Sequence, residues 1–272
     1  DFLTLRGYYA NQVELYGQLV SKWAEIGDTE NWNYRASLIS LGNAYNSLGQ
    51  YQTAIDFHQQ SLKIKREIGD VGGESYSLGN LGNAYNSLGQ YQTAIDFHQQ
   101  SLKITREIGD VGGESNSLIS LGNAYDSLGQ YQTAIDFYQQ SLKITREIGD
   151  VQGESYSLIG LGNAYYSLGQ YQTAIDFYQQ SLKIKREIGD VRGESDSLNN
   201  LGAAYDSLGQ YQTAIDFYQQ SLKITREIGD VRGESNSLNN LGSAYDSLGQ
   251  YQTAIDFYQQ SLKITREIGD VR

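Results

Sequence analysis

The sequence contains no cysteine and no methionine, and only two histidines among its 272 residues. Without cysteine the chain can form no disulfide and offers no thiol nucleophile or thiolate metal ligand. The two histidines, His58 and His98, are too few for a histidine-rich metal centre, so we expect neither a metal nor another cofactor. The missing methionine, including at position 1, indicates a segment cut from a longer protein.

Long apolar runs and an excess of basic residues are also missing. No run reaches the ~20 residues that span a bilayer, and no signal peptide is visible, so we expect no membrane partner. Acidic residues outnumber basic residues by 32 to 20, which gives a formal charge of −12. Because phosphate binding needs clustered Lys and Arg, this balance argues against nucleic acid as a partner. The lack of cysteine and of a signal segment is compatible with the cytosol, and we expect a cytoplasmic protein.

One block of sequence recurs along most of the chain. Ser-Leu-Gly-Gln-Tyr-Gln-Thr-Ala-Ile-Asp-Phe begins at Ser47 and returns every 40 residues up to Ser247. Residues 1–34 precede the complete copies as a degenerate half-copy and a connecting loop, because residues 6–28 align with residues 48–70. Positions within a copy are numbered from 1 to 40. The repeat predicts six copies, residues 35–74, 75–114, 115–154, 155–194, 195–234 and 235–272.

Each copy is predicted to contain two helices, which we name helix A and helix B. In helix A of the first copy, Leu38, Leu41 and Tyr45 lie on one apolar stripe at helical period. Helix B extends from about residue 51 to 68 and has a wider apolar arc, as expected for a helix that packs on two sides. Gly42 recurs inside helix A, where glycine costs about 1 kcal/mol relative to alanine, so we expect a close helix–helix approach there.

Two features that could suggest chemistry have structural explanations. Val71-Gly72-Gly73-Glu74 is glycine-rich but lacks the Lys and Ser/Thr of a phosphate-binding loop, so we interpret it as a linker, with Asp70 placed to cap the next helix A. His58 and His98 occupy a helix B position that holds Tyr in the other four copies, which favours packing over catalysis. No nucleophile–base pair or metal cluster stands out, and we do not expect an enzyme.

The spacing within each copy resembles the tetratricopeptide repeat (TPR) family. Leu38-x2-Leu41-Gly42-x2-Tyr45 followed by Ala54-x3-His58 matches its pattern, with Leu in place of the usual Trp. The missing Pro and the period of 40 rather than about 34 residues are similar to longer-repeat TPR proteins, among them Partner-of-Inscuteable-type adaptors and many bacterial multi-repeat proteins. The resemblance covers residues 9–272 and implies an all-α, right-handed superhelix, or α-solenoid, of antiparallel helix pairs.

Differences between the copies fall mainly on one face of helix A. Positions 2, 5, 6, 9 and 12 vary, and at about 100° per residue they occupy an arc of about 120° opposite the apolar stripe. We call this the variable face. In TPR proteins that face of helix A lines the inner, concave surface, where ligands usually bind. The outer residues Gln50, Gln52, Gln59 and Gln60 are identical in every copy, which favours a diversified binding surface over neutral drift, the alternative explanation.

The variable face is rich in Asn, Asp and Tyr and carries no Lys or Arg. Asn donates and accepts hydrogen bonds and can pair with the amides of an extended chain, although Asn at position 9 could instead bond the local backbone. Tyr supplies contact area at low entropic cost, and the Asp residues of the later copies favour a basic or donor-rich ligand. The predicted ligand-binding residues are Asn43, Asn46, Tyr76, Asn80, Asn83, Asn86, Asn116, Asn123, Asp126, Tyr156, Asn163, Tyr166, Asp196, Asn199, Asn200, Asp206, Asn236, Asn239, Asn240 and Asp246.

We therefore expect a protein-interaction module whose concave groove binds a protein or peptide that is extended and polar or basic. The carboxylate clamp of chaperone-binding TPR proteins needs inward Lys or Arg, which this face lacks. The segment from Arg6-Gly7-Tyr8-Tyr9 to Trp23 and the near-identical copies resemble TPR arrays of bacterial STAND (NLR-like) NTPases, which implies a ligand-sensing region of a larger signalling or defence protein. Two alternatives are an adaptor that bridges two partners and a structural or engineered array that associates end to end through uncapped termini.

Overall fold

The computed structural model describes residues 2–28 and 31–269, and these residues form thirteen α-helices and no strand. The prediction of an all-α chain with two helices in each copy is confirmed. Residues 1, 29, 30 and 270–272, which belong to the first and last predicted segments, lie outside the described residues.

From α2 onward the even-numbered helices are helix A and the odd-numbered helices are helix B. The helices are α1 (Phe2–Ile26), α2 (Trp32–Ser47), α3 (Tyr51–Glu67), α4 (Val71–Ser87), α5 (Tyr91–Ile108), α6 (Val111–Ser127), α7 (Tyr131–Ile148), α8 (Val151–Ser167), α9 (Tyr171–Glu187), α10 (Val191–Ser207), α11 (Tyr211–Ile228), α12 (Val231–Ser247) and α13 (Tyr251–Gly269).

Two compact units divide the chain between Gly149 and Asp150. In the first unit each helix from α2 to α7 contacts the next one, and in the second unit the same holds from α8 to α13. Consecutive helices run antiparallel, so each unit is a stack of helix pairs. This is the packing of a TPR solenoid, as the sequence predicts.

The aliphatic core of each unit lies between successive copies. Ala54, Ile55 and Leu62 of α3 form one cluster with Leu78 and Leu81 of α4, the helix A of the next copy. Clusters of the same composition recur between α5 and α6, between α9 and α10, and between α11 and α12. Burial of each Leu or Ile contributes about 1.5–3 kcal/mol, so a copy is stabilised mainly by its neighbours.

The last described helix, α13, lacks such a neighbour. Ile255 is 46% exposed and Leu262 is 48% exposed, whereas the equivalent Ile215 and Leu222 are covered by α12. The apolar side that receives helix A in the other copies is therefore open to solvent on α13.

Glycine at position 8 permits the close helix contact that the sequence predicts. A Cβ atom at Gly122 of α6 would lie 2.5 Å from Cε1 of Tyr138 of α7, and one at Gly42 would lie 2.5 Å from Cε1 of His58. Only glycine fits without displacing the ring. His58 and His98 are each 1% exposed, in accord with the packing role predicted for them.

The junction between copies differs from the prediction. Helix α4 begins at Val71, so Val71–Glu74 is its first turn, and the prediction of a linker is wrong. The capping role of Asp70 is confirmed, because its Oδ1 accepts a hydrogen bond of 2.9 Å from the backbone N–H of Gly73. Gly69 adopts a left-handed φ of 72° that turns the chain between the two helices. Since the cap satisfies an otherwise unpaired N–H, the first turn tolerates its two glycines.

Serine hydroxyls link the helices of neighbouring copies. Ser101 Oγ of α5 lies 3.0 Å from Ser75 Oγ in its own copy and 3.1 Å from Ser117 Oγ in the next copy. The same contacts recur around Ser221 of α11. We call the serines at positions 1, 3 and 27 the serine seam. Their small size lets the helices approach closely, and their mutual hydrogen bonds satisfy buried polar groups.

Two glycines of α4 provide a matched test of the close contact. We expect Gly82→Ala to destabilise the chain by about 1–3 kcal/mol, because the new methyl group would overlap the buried imidazole of His98. Gly72→Ala lies in the same helix and meets nothing within 4 Å, so it should be neutral or stabilising by up to ~1 kcal/mol. Urea denaturation of the two variants measures the difference. Similar destabilisation by both would contradict the packing described for position 8.

The buried histidines predict a loss of stability in mild acid. Burial lowers the pKa of His58 and of His98 to about 4. In the unfolded chain the pKa is about 6.5, so below that pH the unfolded state binds protons that the folded state does not. The stability is complete above about pH 6.5 and falls as the pH approaches 4, by about 2 kcal/mol for each histidine at pH 5. Denaturation measured from pH 7.5 to pH 5 tests this.

The double variant His58→Tyr/His98→Tyr is the control, because Tyr occupies this position in the other four copies. Its carboxylates titrate as in the parent chain, so the comparison isolates the histidines. We expect the variant to lose clearly less stability between pH 7.5 and pH 5. Equal losses in the two proteins would show that the histidines are not buried in the neutral form.

Candidate functional site

The variable face lies on the helix A elements, α2 to α12, and none of its twenty predicted residues is buried. The exposed residues are Asn43, Tyr76, Asn83, Asn116, Asn123, Tyr156, Asp196, Asn236, Asn239 and Asp246. The half-buried residues are Asn46, Asn80, Asn86, Asp126, Asn163, Tyr166, Asn199, Asn200, Asp206 and Asn240. Most of the face is therefore separate from the aliphatic clusters, although Tyr166 packs against the cluster between α9 and α10.

Asparagine at position 9 anchors a tyrosine of helix B. The Tyr138 hydroxyl donates a hydrogen bond of 2.7 Å to Asn123 Oδ1, and the Tyr178 hydroxyl donates one of 2.8 Å to Asn163 Oδ1. These asparagines use their carbonyl oxygen within the copy, with a tyrosine as the partner. The contact joins the variable face to the helix packing beneath it.

Asn199 has both of its amide atoms engaged in contacts within the second unit. Its Nδ2 donates to Ser221 Oγ at 2.8 Å and to Ser237 Oγ at 3.1 Å, and its Oδ1 accepts from Ser237 Oγ at 3.3 Å. Asn199 therefore extends the serine seam, and its amide is less open than those of the other predicted residues.

A row of buried oxygen atoms without hydrogen-bond partners lies at position 12. In the first unit these atoms are Oδ1 of Asn46, Asn86 and Asp126, on α2, α4 and α6. In the second unit the corresponding atom is Oδ1 of Asp206 on α10. Because buried polar atoms are normally hydrogen-bonded, these acceptors are positions at which a bound group with N–H or O–H donors would be stabilised.

Two half-buried carboxylates of the variable face are partly desolvated. Burial raises the pKa of Asp126 and of Asp206. The raised values mean that the ionised form is held at a cost in free energy. A cation placed beside these groups would reduce that cost.

A lysine from helix B reaches the edge of the variable face. Lys185 Nζ lies 4.5 Å from the ring centroid of Tyr156 and 2.8 Å from Asp190 Oδ2. The side chain of Lys185 is 2% exposed, so its charge is shared between a cation–π contact and a buried ion pair. Sequence analysis missed this residue, although Lys in place of Thr at position 31 was a visible signal.

The described residues lack two other kinds of feature. Residues 2–28 and 31–269 contain no group of three or more His, Cys, Asp or Glu side chains arranged to hold a metal ion. In the same part of the chain, no helix combines the length and the apolar character needed to cross a membrane.

Three solved structures illustrate the likeness to known folds. A variant of a Podosopora anserina putative kinesin light chain with nearly identical TPR-like repeats is 24% identical, with a TM-score of 0.62 over 72% of this chain and 96% of that chain. A Rap protein complexed with Competence and Sporulation Factor is 14% identical, with a TM-score of 0.67 over 90% of this chain and 80% of that chain. A Signal Transduction ATPase with Numerous Domains (STAND) from Pyrococcus horikoshii, which has a TPR sensor, is 18% identical, with a TM-score of 0.73 over 98% of this chain and 41% of that chain.

Sequence comparison gives the family. No curated protein matches the chain. One sequence model of the tetratricopeptide repeat matches residues 74–147, 140–187, 152–227 and 193–267, and a second tetratricopeptide repeat model matches residues 37–71. These matches cover nearly all of the predicted copies, and the chain belongs to the tetratricopeptide repeat family.

Proposed function

We propose that the variable face binds an extended segment of a protein or peptide that carries basic residues. The TPR fold is generally a non-catalytic scaffold for protein interactions. One observation carries the proposal: the aliphatic residues that pack between copies are constant, while the face of helix A opposite its buried leucines changes from copy to copy. The Rap protein complexed with Competence and Sporulation Factor, whose fold is similar, supports a ligand of this kind.

The distribution of the variation supports binding over neutral drift. Gln59, Gln99 and Gln219 are as exposed as the residues of the variable face, yet they are identical in all six copies. If solvent exposure alone allowed change, these outer positions would also differ. Variation concentrated on one exposed face is what selection for ligand contacts produces.

The unpaired acceptors at position 12 support an extended ligand. Helices α2, α4 and α6 contact one another in order, and packed helices lie about 8–10 Å apart. An extended peptide advances about 3.3 Å for each residue. Successive acceptors on Asn46, Asn86 and Asp126 would therefore meet donors about three residues apart in the ligand. Backbone amides of an extended segment supply donors at such intervals.

The charge of the face supports a basic ligand. Asp126, Asp196, Asp206 and Asp246 lie on it, and it carries no Lys or Arg. The partly desolvated carboxylates gain most from a nearby cation, because low hydration strengthens electrostatic attraction. The charge of the whole chain, −12, adds a long-range attraction for basic partners.

A sensor role within a larger protein is a second candidate. The STAND ATPase from Pyrococcus horikoshii matches 98% of this chain, while this chain spans 41% of that protein. In this proposal the array detects the ligand and a nucleotide-binding domain responds. Sequencing the gene upstream of the codon for Asp1 tests it, since an open reading frame without a nucleotide-binding domain would refute the sensor role.

End-to-end association through the open side of α13 is a competing use of the chain. Ile255, Tyr258 and Leu262 form an exposed apolar surface there. Concentration-dependent oligomers in light scattering, together with no ligand for the variable face, would favour this alternative.

Peptides selected from a randomised displayed library provide the probe for the main proposal. We expect the triple variant Asn200→Ala/Asn236→Ala/Asn240→Ala to weaken the binding of selected peptides by about tenfold or more. Each lost hydrogen bond costs about 0.5–1.5 kcal/mol, and about 1.4 kcal/mol corresponds to a factor of ten in Kd. Fluorescence anisotropy with labelled peptides measures the effect.

The matched control is Gln219→Ala/Gln259→Ala, which changes exposed residues of helix B in the same two copies. It should alter the Kd by less than about twofold, since these side chains lie on the outer face. Equal losses in the two variants would contradict binding at the variable face. A failure to select any peptide would contradict the proposed function itself.

A further inference from the structure

Copy five breaks the repeat pattern at a buried tyrosine. Tyr218 is 3% exposed, and its hydroxyl has no hydrogen-bond partner among residues 2–28 and 31–269. In the two preceding copies the equivalent hydroxyls of Tyr138 and Tyr178 are held by an asparagine at position 9. Copy five has Ala203 at that position, so the acceptor is missing and the space of its carboxamide is free. In copy six the equivalent Tyr258 is 37% exposed and can be hydrated.

A carboxylate without a partner lies next to this space. Asp206 follows Ala203 by three residues on α10, so the two side chains share one face of the helix. Its Oδ1 is buried and accepts no hydrogen bond. In copies three and four, position 9 contacts the hydroxyl of position 24, so the Tyr218 hydroxyl faces the part of α10 that carries Ala203 and Asp206. In accord with this, burial and, after it, the negative charge of Asp206 raise the pKa of Tyr218. Two groups that ordinarily find partners therefore remain unpaired in the same place.

An aromatic side chain from copy four reaches the residue next to Asp206. The Tyr166 hydroxyl is 2.9 Å from Oγ of Ser207, the residue next to Asp206. The ring of Tyr166 is half-buried and lies 5.3 Å from that of Tyr171. In the described part of the chain, no salt bridge reaches Asp206.

We propose that Asp206, Tyr218 and Tyr166 form a subsite that accepts the side chain of a Lys or Arg residue of the bound peptide. This inference rests on the proposed function and names the type of peptide residue that copy five recognises. An ammonium or guanidinium donates hydrogen bonds to the carboxylate and to the tyrosine oxygen, and the aromatic ring adds a cation–π contact. Ala203 leaves the room that the cation needs.

The neighbouring copies lack the full set. Copy three has Asp126 with an unpaired Oδ1, but the hydroxyl of Tyr138 already donates a hydrogen bond to Asn123. At position 12 of the copy that precedes it stands Asn86, whereas the copy that precedes copy five has Tyr166 there. In copy four, Tyr166 occupies position 12, so that copy has no carboxylate where copy five has Asp206. Among the described residues, only copy five combines a carboxylate and a tyrosine hydroxyl without hydrogen-bond partners with a tyrosine at position 12 of the preceding copy.

Two substitutions taken from the repeat itself test the subsite. Ala203→Asn installs the residue found at position 9 in the first four copies, and it should close the subsite by engaging the Tyr218 hydroxyl. Asp206→Asn installs the residue found at position 12 in the first two copies and removes only the charge. Both variants are expected to keep the helical content of the parent chain and a urea midpoint at least as high.

The experiment selects peptides from one randomised displayed library on the parent chain and on each variant. Peptides selected on the parent should carry Lys or Arg at one fixed place, and both variants should bind those peptides at least about tenfold more weakly. Replacing that Lys or Arg by Gln should weaken binding to the parent by the same factor and leave binding to the variants unchanged. Pools selected on the variants should lose the basic preference.

The other possible outcomes would overturn the subsite alone or the proposed function as well. Parent-selected peptides without a fixed basic residue, or variants that retain the same preference, would overturn the subsite while leaving the proposed binding at the variable face intact. If none of the three proteins selects any peptide, the proposed function fails and the subsite fails with it.

Discussion

The packing of helix B against helix A of the next copy is the contact on which the rest of the molecule depends. It is made by aliphatic clusters such as the one around Leu62 and Leu78. Within each copy, the glycine at position 8 lets the ring at position 24 of helix B pack on bare backbone. Close packing of this kind tolerates little change, because an added methyl group strains the neighbours and a lost one leaves a cavity. The aliphatic residues that make it are the same in every copy, and most of the differences between copies fall on the opposite face of helix A.

The polar contacts between copies add to this constraint. The serine seam pairs hydroxyls that would otherwise be unsatisfied in the core, and the Asp70 cap lets a glycine-containing turn start a helix. The serine contacts and the Asp caps repeat in each unit, so they set the register of helix packing without using side chains of the variable face. Asn199 is the exception, since it joins the seam from a variable position. Copy five thus departs from the first four copies at Asn199, which adds hydrogen bonds to the seam, and at Ala203, which removes the acceptor for the hydroxyl at position 24.

Much of the fold follows from the sequence, for identifiable reasons. The period of 40 residues, the stripe of Leu38, Leu41 and Tyr45, and the glycine at Gly42 each have one physical explanation, and the structure agrees with all three. The first turn of α4 was missed because its glycines suggest a loop, whereas the side-chain cap that compensates for them is a three-dimensional contact. The serine seam was missed because apolar periodicity ignores small polar residues that pair only across copies.

The candidate site was predictable as a face but not as a set of contacts. Helical periodicity places the twenty residues on one side of helix A, and their exposure agrees with that placement. Periodicity does not reveal that Asn123 holds Tyr138, that Lys185 lies over Tyr156, or that the hydroxyl of Tyr218 is unpaired. Each of these contacts depends on a residue of another helix, and one sequence alone does not show which residues of different helices meet.

The chain contains no cysteine, so a single introduced thiol can report ligand contact without interference. The most direct test compares the alkylation rate of Asn240→Cys, on the variable face, with that of Gln219→Cys, on the outer face of helix B, with and without a selected peptide. The account predicts that the peptide slows alkylation at position 240 and leaves position 219 unchanged. Protection at position 219, or equal protection at both positions, would contradict it.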